Sequence, residues 1–147
     1  MRDWQIRNSG IAPGAIRLFD VPKDEFRKIA SRHRAEPVEI WKARKFIEQH
    51  SDDELSLSKV AKAVNISANH LSEKFKQVTG ANFVDYVAYV RFEAARDPLL
   101  NSNRRISEIA FAAGFQSLSQ FNRVFKKLSG KSPTDYRAAH LRRKKRR

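Results

Sequence analysis

The stretch Ile106–Lys127, ISEIAFAAGFQSLSQFNRVFKK, reads as two short amphipathic helices separated by Gly114. The second of them sets Ser119, Gln120, Asn122, Arg123, Lys126 and Lys127 around only a few apolar side chains. A helix with such a narrow apolar stripe leaves a broad polar face for solvent or a partner.

The same pattern occurs earlier in the chain. Val60-Ala61-Lys62-Ala63-Val64-Asn65-Ile66 aligns with Ile109-Ala110-Phe111-Ala112-Ala113-Gly114-Phe115 at an offset of 49. Beyond the turn the offset becomes 50, placing Leu71, Phe75, Lys76, Gly80, Asp85 and Tyr86 opposite Phe121, Phe125, Lys126, Gly130, Asp135 and Tyr136. One residue is inserted before the later helix. Spaced repetition of this kind implies two copies of a helical unit.

Within each copy an alanine stands four residues ahead of a turn residue: Ala61 before Asn65, and Ala110 before Gly114. A small side chain lets two helices cross closely, and Asn or Gly tolerates the left-handed backbone that ends the first helix sharply. Ile66 and Phe115 are expected to tuck under the turn, with Leu71 and Phe75, or Phe121 and Phe125, entering the core. That is the pattern of a helix-turn-helix. Phe75, Phe83, Phe92, Phe111, Phe115, Phe121 and Phe125 fall on apolar faces by this reading, which assigns them to the core rather than to base stacking.

The chain has 147 residues, 41% of them hydrophobic, enough for one ordinary domain or two very small ones with a real though modest core. Thirty Lys and Arg against sixteen Asp and Glu give a net charge of +14. Six of those charges lie in Arg142–Arg147, leaving +8 elsewhere, so the excess belongs to the fold as well as to its end. Such a balance favours a polyanionic partner. With no cysteine, disulfides, thiolate metal sites and cysteine nucleophiles are excluded. His33, His50, His70 and His140 are scattered without partners at i+3 or i+4, so no metal, cofactor or catalytic triad is expected. No run approaches the length of a membrane span and MRDWQIRNSG lacks a signal peptide's apolar core, which predicts a cytoplasmic protein with no membrane partner.

Residues 1–36 carry Gly10, Pro13, Gly14 and Pro22 and a short candidate helix over Asp24–His33, and read as an arm or the remnant of an upstream region. Helical patterning begins after Pro37, with a first helix closed by Ser51-Asp52-Asp53. Further helices are predicted at Leu57–Val64, Ala68–Thr79, Phe83–Asp97, Ile106–Ala113, Ser117–Leu128 and Pro133–Leu141. The expected fold is all-α: helix-turn-helix units at 38–80 and 104–139, homeodomain-like, joined by a linker helix over 83–97. Together they form a domain over 37–140, followed by a basic tail at 141–147.

A helix in a major groove meets base edges mainly through its first two turns. The base-contact candidates are Asn69, Ser72 and Glu73 in the first unit, and Gln116, Leu118, Ser119, Gln120 and Arg123 in the second. Arg123 suits guanine, Gln120 or Asn69 adenine, Glu73 a cytosine amino group, and Leu118 a thymine methyl. Lys74, Lys76, Lys126 and Lys127 are phosphate candidates, adding affinity without sequence information.

The segment Ile106–Lys127, continued by Leu128-Ser129-Gly130-Lys131-Ser132-Pro133-Thr134-Asp135-Tyr136-Arg137, resembles the DNA-binding domain of the AraC/XylS family of bacterial transcription regulators. Leu55-Ser56-Leu57, Val60-Ala61 and Leu71-Ser72-Glu73-Lys74-Phe75-Lys76 match as well, and the resemblance covers roughly residues 38–139. It implies two helix-turn-helix units reading successive major-groove segments of double-stranded DNA, with base-facing positions at Asn69, Ser72, Glu73, Ser119, Gln120 and Arg123. It also implies an activator located with the bacterial nucleoid, RNA polymerase being the second partner of such a protein. Family members commonly carry a sensing or dimerising domain, for which 36 leading residues are too few. A sensorless regulator or part of something longer is therefore expected.

Pro98 stands where the family usually has leucine, and proline removes a backbone donor and clashes with the carbonyl four residues back. The linker helix is therefore expected to kink or stop near Asp97. About fifteen residues would span roughly 22 Å, less than the roughly 34 Å between groove segments one turn apart. A related helical module accompanies DNA alkyl-damage repair, but that chemistry needs a cysteine acceptor, so no enzyme is expected. The alternative reading is a basic structural RNA-binding protein, with which Arg142–Arg147 is compatible.

Overall fold

A computed structural model describes residues 36–146 of the chain. Seven helices occupy them: α1 Val38–Gln49, α2 Leu57–Ala63, α3 Ala68–Thr79, α4 Phe83–Asn101, α5 Ile106–Ala112, α6 Leu118–Ser129 and α7 Pro133–Lys145. No strand occurs among the described residues. The candidate helix over Asp24–His33 lies outside them. Two compact units divide the fold, one of residues 36–50 with Glu54–Val87, the other of Ser51–Asp53 with 88–146.

In the first unit the α2–α3 turn is made as its residue types require. Asn65 adopts φ 66°, and the chain closes with Ile66 N–H donating to Ala61 O at 3.0 Å. Ser67 then caps α3, its hydroxyl accepting from His70 N at 3.1 Å. Leu71 and Phe75 are buried, as are Ile40, Ile47, Val60 and Tyr86, and the Phe75 ring meets Tyr86 edge-on at 5.1 Å. Burying side chains of this size stabilises the unit by about 1.5–3 kcal/mol each.

The second unit repeats these bonds. Gly114 has φ 105°, Phe115 N–H donates to Ala110 O at 3.1 Å, and Ser117 Oγ accepts from Gln120 N at 3.1 Å. Phe121 and Phe125 are buried, and Phe125 packs edge-on against Phe92 at 4.8 Å and Tyr136 at 5.1 Å. Even the helix ends agree: Thr79 Oγ1 lies 2.7 Å from Phe75 O and accepts from Ala81 N, as Ser129 Oγ lies 2.7 Å from Phe125 O and accepts from Lys131 N.

Two buried arginines are not evident from the sequence. Arg44 is 1% exposed; its Nε donates to Tyr86 Oη at 3.1 Å and its Nη1 pairs with Glu36 at 2.6 Å. Burial works against its charge, but the tyrosine and the carboxylate outweigh it and its pKa is raised. Removing one partner of such a buried pair typically costs about 3–5 kcal/mol. In the second unit Arg96 stands in the same relation to Tyr136, whose hydroxyl is the main cause of its raised pKa. Arg91 has no such tyrosine. Its Nε donates to Ser51 O at 2.8 Å and its Nη2 to Asp53 O at 2.9 Å, while burial lowers its pKa.

Three expectations are corrected. Helix α4 does not stop near Asp97 but continues through Pro98 to Asn101, 19 residues in all, or about 28 Å. Proline removes only one hydrogen bond this close to a helix end. Leu99 is fully buried, Ser102 Oγ donates to Pro98 O, and Arg137 Nε donates to Leu99 O at 2.8 Å, which holds the last turn. Phe111, expected in the core, is 54% exposed. Its repeat partner at offset 49 is Lys62, also exposed, so the position lies off the buried stripe of Ile109, Ala110 and Ala113. The last helix, expected to end at Leu141, instead continues to Lys145.

A Cβ at Gly114 would overlap Ser51 O and crowd Arg91 Nε at 2.7 Å, whereas one at Gly130, with φ 81°, meets nothing within 4 Å. Gly130→Ala should therefore cost only the left-handed strain of about 1–2 kcal/mol. Gly114→Ala should cost clearly more, because the overlap with backbone adds to that strain. Chemical denaturation of the two variants measures the difference, and equal losses would contradict this account of the turn.

Candidate nucleic-acid interface

Successive helical residues are about 100° apart around the axis, and α6 divides cleanly on that basis. Phe121, Val124, Phe125 and Leu128 are buried and form one continuous stripe. The remaining arc runs, in order around the helix, through Leu118, Asn122, Lys126, Ser119, Arg123 and Lys127, all exposed. It contains no acidic residue, and its cations lie toward the C-terminal half. Leu118 is 39% exposed at the arc's edge, where an apolar side chain meets both core and solvent.

Gln120 lies between the two arcs and is half-buried. Its Oε1 accepts from Gln116 N at 3.3 Å while its own N–H donates to Ser117 Oγ, an arrangement like a capping box. A bidentate contact to adenine needs both amide atoms, and this bond already occupies one of the two lone pairs of Oε1. Gln116 itself is exposed but precedes the helix, on the loop before the Ser117 cap.

Helix α3 buries Leu71, Phe75 and Thr79 and turns outward Ser72, Lys76, Asn69, Glu73, Gln77 and His70, of which Lys76 is half-buried. The His70 ring lies 3.7 Å from Glu39 of α1. Lys74 is half-buried on the flank, at the position that buried Val124 occupies in the other unit. Of the four phosphate candidates it is the least well presented, whereas Lys126 and Lys127 are exposed.

Each unit thus brings its predicted residues onto one helix: Asn69, Ser72 and Glu73 on α3, and Leu118, Ser119 and Arg123 on α6. Asn122 was missed by the sequence reading. It is exposed on the α6 arc between Leu118 and Lys126, and at offset 50 it corresponds to Ser72, so the internal repeat already contained the signal. Gln77 is the other exposed residue of the α3 arc outside the predicted set that bonds to no side chain of α1. Among the described residues no group of His, Asp or Glu is placed to hold a metal ion, and no helix is long and apolar enough to cross a membrane.

Residues 60–139 match the sequence model of a helix-turn-helix domain family. The C-terminal domain of AraT, a response regulator from Geobacillus stearothermophilus, has the same fold with a TM-score of 0.68 at 33% identity, over 71% of this chain and 88% of that one. The chain belongs to the AraC-type helix-turn-helix family. Among the family's curated proteins, the transcriptional activator Btr of Bacillus subtilis is 38% identical over 85 residues, which is 58% of this chain and 16% of Btr. The chain spans only 12% to 16% of the length of such relatives. The DNA-binding domain of AdpA, solved in complex with a target DNA, shares the AraC-type fold at a TM-score of 0.67 and 23% identity, covering 71% of this chain and 94% of that one.

Separating the cap from the exposed arc gives a direct check. Ser117→Ala should lower stability by about 1 kcal/mol. Asn122→Ala should leave stability within about 0.5 kcal/mol, yet change base preference at one position of a bound duplex. Thermal melts and competition binding on single-base variants of the duplex measure the two effects.

Proposed function

We propose that this module binds double-stranded DNA with sequence preference and activates transcription, with α3 and α6 each entering a major-groove segment. The observation that carries the proposal is the α6 arc: an acid-free surface, polar in its first turns and cationic beyond, backed by a fully buried stripe. A helix so divided offers hydrogen-bonding groups to base edges and ammonium groups to phosphates at the same time. The activator reading draws support from the likeness to Btr, and activation requires a contact with RNA polymerase. The work is binding, without catalysis or a cofactor, in the bacterial cytoplasm at the nucleoid.

In this reading Asn69, Ser72, Glu73, Ser119 and Arg123 face bases, Leu118 meets a thymine methyl, and Gln116 and Gln120 lie at the entrance of α6. Lys76, Lys126 and Lys127 hold phosphates, with Lys74 at the margin. Glu73 and Arg123 occupy equivalent positions of the repeat with opposite charge, so the two helices favour different bases: an acceptor for the cytosine amino group in one, a bidentate donor for guanine in the other.

Selection of bound duplexes from a random pool supplies the preferred site. On it, Arg123→Ala should cost about 1–3 kcal/mol and relax preference at one base pair. Lys126→Ala should weaken all duplexes alike and reduce the slope of log affinity against log salt by about 0.9. A uniform loss from Arg123→Ala would remove its assigned role, and a pool that yields no enriched sequence would overturn the proposal itself.

A further inference from the structure

We infer that the C-terminal turns of α7 form an additional DNA-binding element, a cationic helix that holds phosphates of the duplex beside the segment met by α6. The inference rests on the DNA-binding function proposed above. Helix α7 runs to Lys145 and Arg146 caps it, so Arg142, Arg143, Lys144, Lys145 and Arg146 follow one another on a helical backbone, all exposed. None of the five pairs with a carboxylate among the described residues.

Cations near a helix C-terminus are favoured by the helix dipole, which helps this turn to form. Like charges three and four residues apart oppose it, and Arg142 with Lys145 and Arg146, and Arg143 with Arg146, stand at those spacings. An anion that neutralises them therefore stabilises the turn. At about 100° per residue, five consecutive cations encircle the axis, so whichever side of α7 faces a polyanion presents two or three of them.

That distribution decides the kind of partner. A helix that docks into a protein groove has one apolar face with anchors at helical spacing, and here the only large apolar side chain nearby is Leu141, 49% exposed. Phosphates make no demand for a particular face, because they repeat along both strands and are recognised by charge. The element is also close to α6. Tyr136 packs on Phe125 at 5.1 Å, and Arg142–Arg146 lie about 9–15 Å farther along α7, a few base pairs at about 3.4 Å each. Once α6 is seated, the effective concentration of duplex seen by these cations is in the millimolar range. This favours DNA over a separately encountered RNA.

The test uses the full chain and a variant carrying Arg142→Gln, Arg143→Gln, Lys144→Gln, Lys145→Gln and Arg146→Gln. Glutamine keeps helix propensity close to that of the residues replaced. Affinity is measured by fluorescence anisotropy between about 50 and 200 mM salt on the selected duplex, a scrambled duplex and an RNA hairpin, with circular dichroism recording the fold. The expected result is a salt slope shallower by about 2, equivalent to two phosphate contacts and about thirtyfold weaker binding to both duplexes at physiological salt, with base preference unchanged. Should the fivefold variant lose helical signal, Arg143→Gln with Lys144→Gln provides the same comparison and about half the shift.

Equal slopes for the two proteins would overturn the inference. So would a loss confined to the RNA hairpin, which would give the element to RNA, or a loss confined to the selected duplex. A full chain that binds neither duplex would refute the proposed function, whereas one that binds both with no response to the substitutions refutes only this inference.

Discussion

The backward turn of the chain at Asn65 and at Gly114 is the constraint on which each unit depends. A left-handed residue there, followed by an apolar one whose N–H returns to the alanine, reverses the chain within a few residues. The next helix then presents one narrow stripe to the core and the rest of its circumference to solvent. If the turn were opened, Leu71 and Phe75, or Phe121 and Phe125, would not reach their partners, and the polar arc would have no fixed orientation. The two turns use different residues because their surroundings differ. Asn65 accepts the conformation with a side chain still on the surface, whereas Gly114 has Ser51 O and Arg91 where a side chain would stand.

Around those turns the units are secured by an aromatic and a guanidinium together. Tyr86 places its ring against Phe75 and its hydroxyl against Arg44; Tyr136 places its ring against Phe125 and is bonded by Arg96. A tyrosine suits this position because its body is apolar and its tip polar. The tip fixes the helix that opens each unit relative to the one that closes it, and the ring supports α3 or α6 between them. The first pair is the more deeply buried, with Glu36 completing the charge balance, so the first unit has more at stake in a single polar contact.

Much of this architecture was legible because it rests on short-range rules. The offset of 49 changing to 50, the Asn and Gly turns and most of the buried phenylalanines all follow from local chemistry. What was not legible depended on distant partners. Arg44 looks like any other basic residue until Tyr86 and Glu36 are folded against it. Pro98 reads as a helix stop, yet tertiary contacts through Leu99 and Arg137 carry the helix three residues past it. Phe111 shows the opposite failure: hydrophobic character alone assigned it inward, although its register matched exposed Lys62. On α6, spacing placed Leu118, Ser119, Arg123, Lys126 and Lys127 on the exposed face, but only coordinates revealed that Gln120 is engaged by the Gln116 backbone.

The repeat is faithful in backbone and core but not in what it displays. Where α3 carries Glu73, α6 carries Arg123, and Gln77 is answered by Lys127. If both helices meet bases as proposed, these differences would give the complex with DNA a head and a tail. On the proposed reading a duplex site presented in reverse would then be a different site.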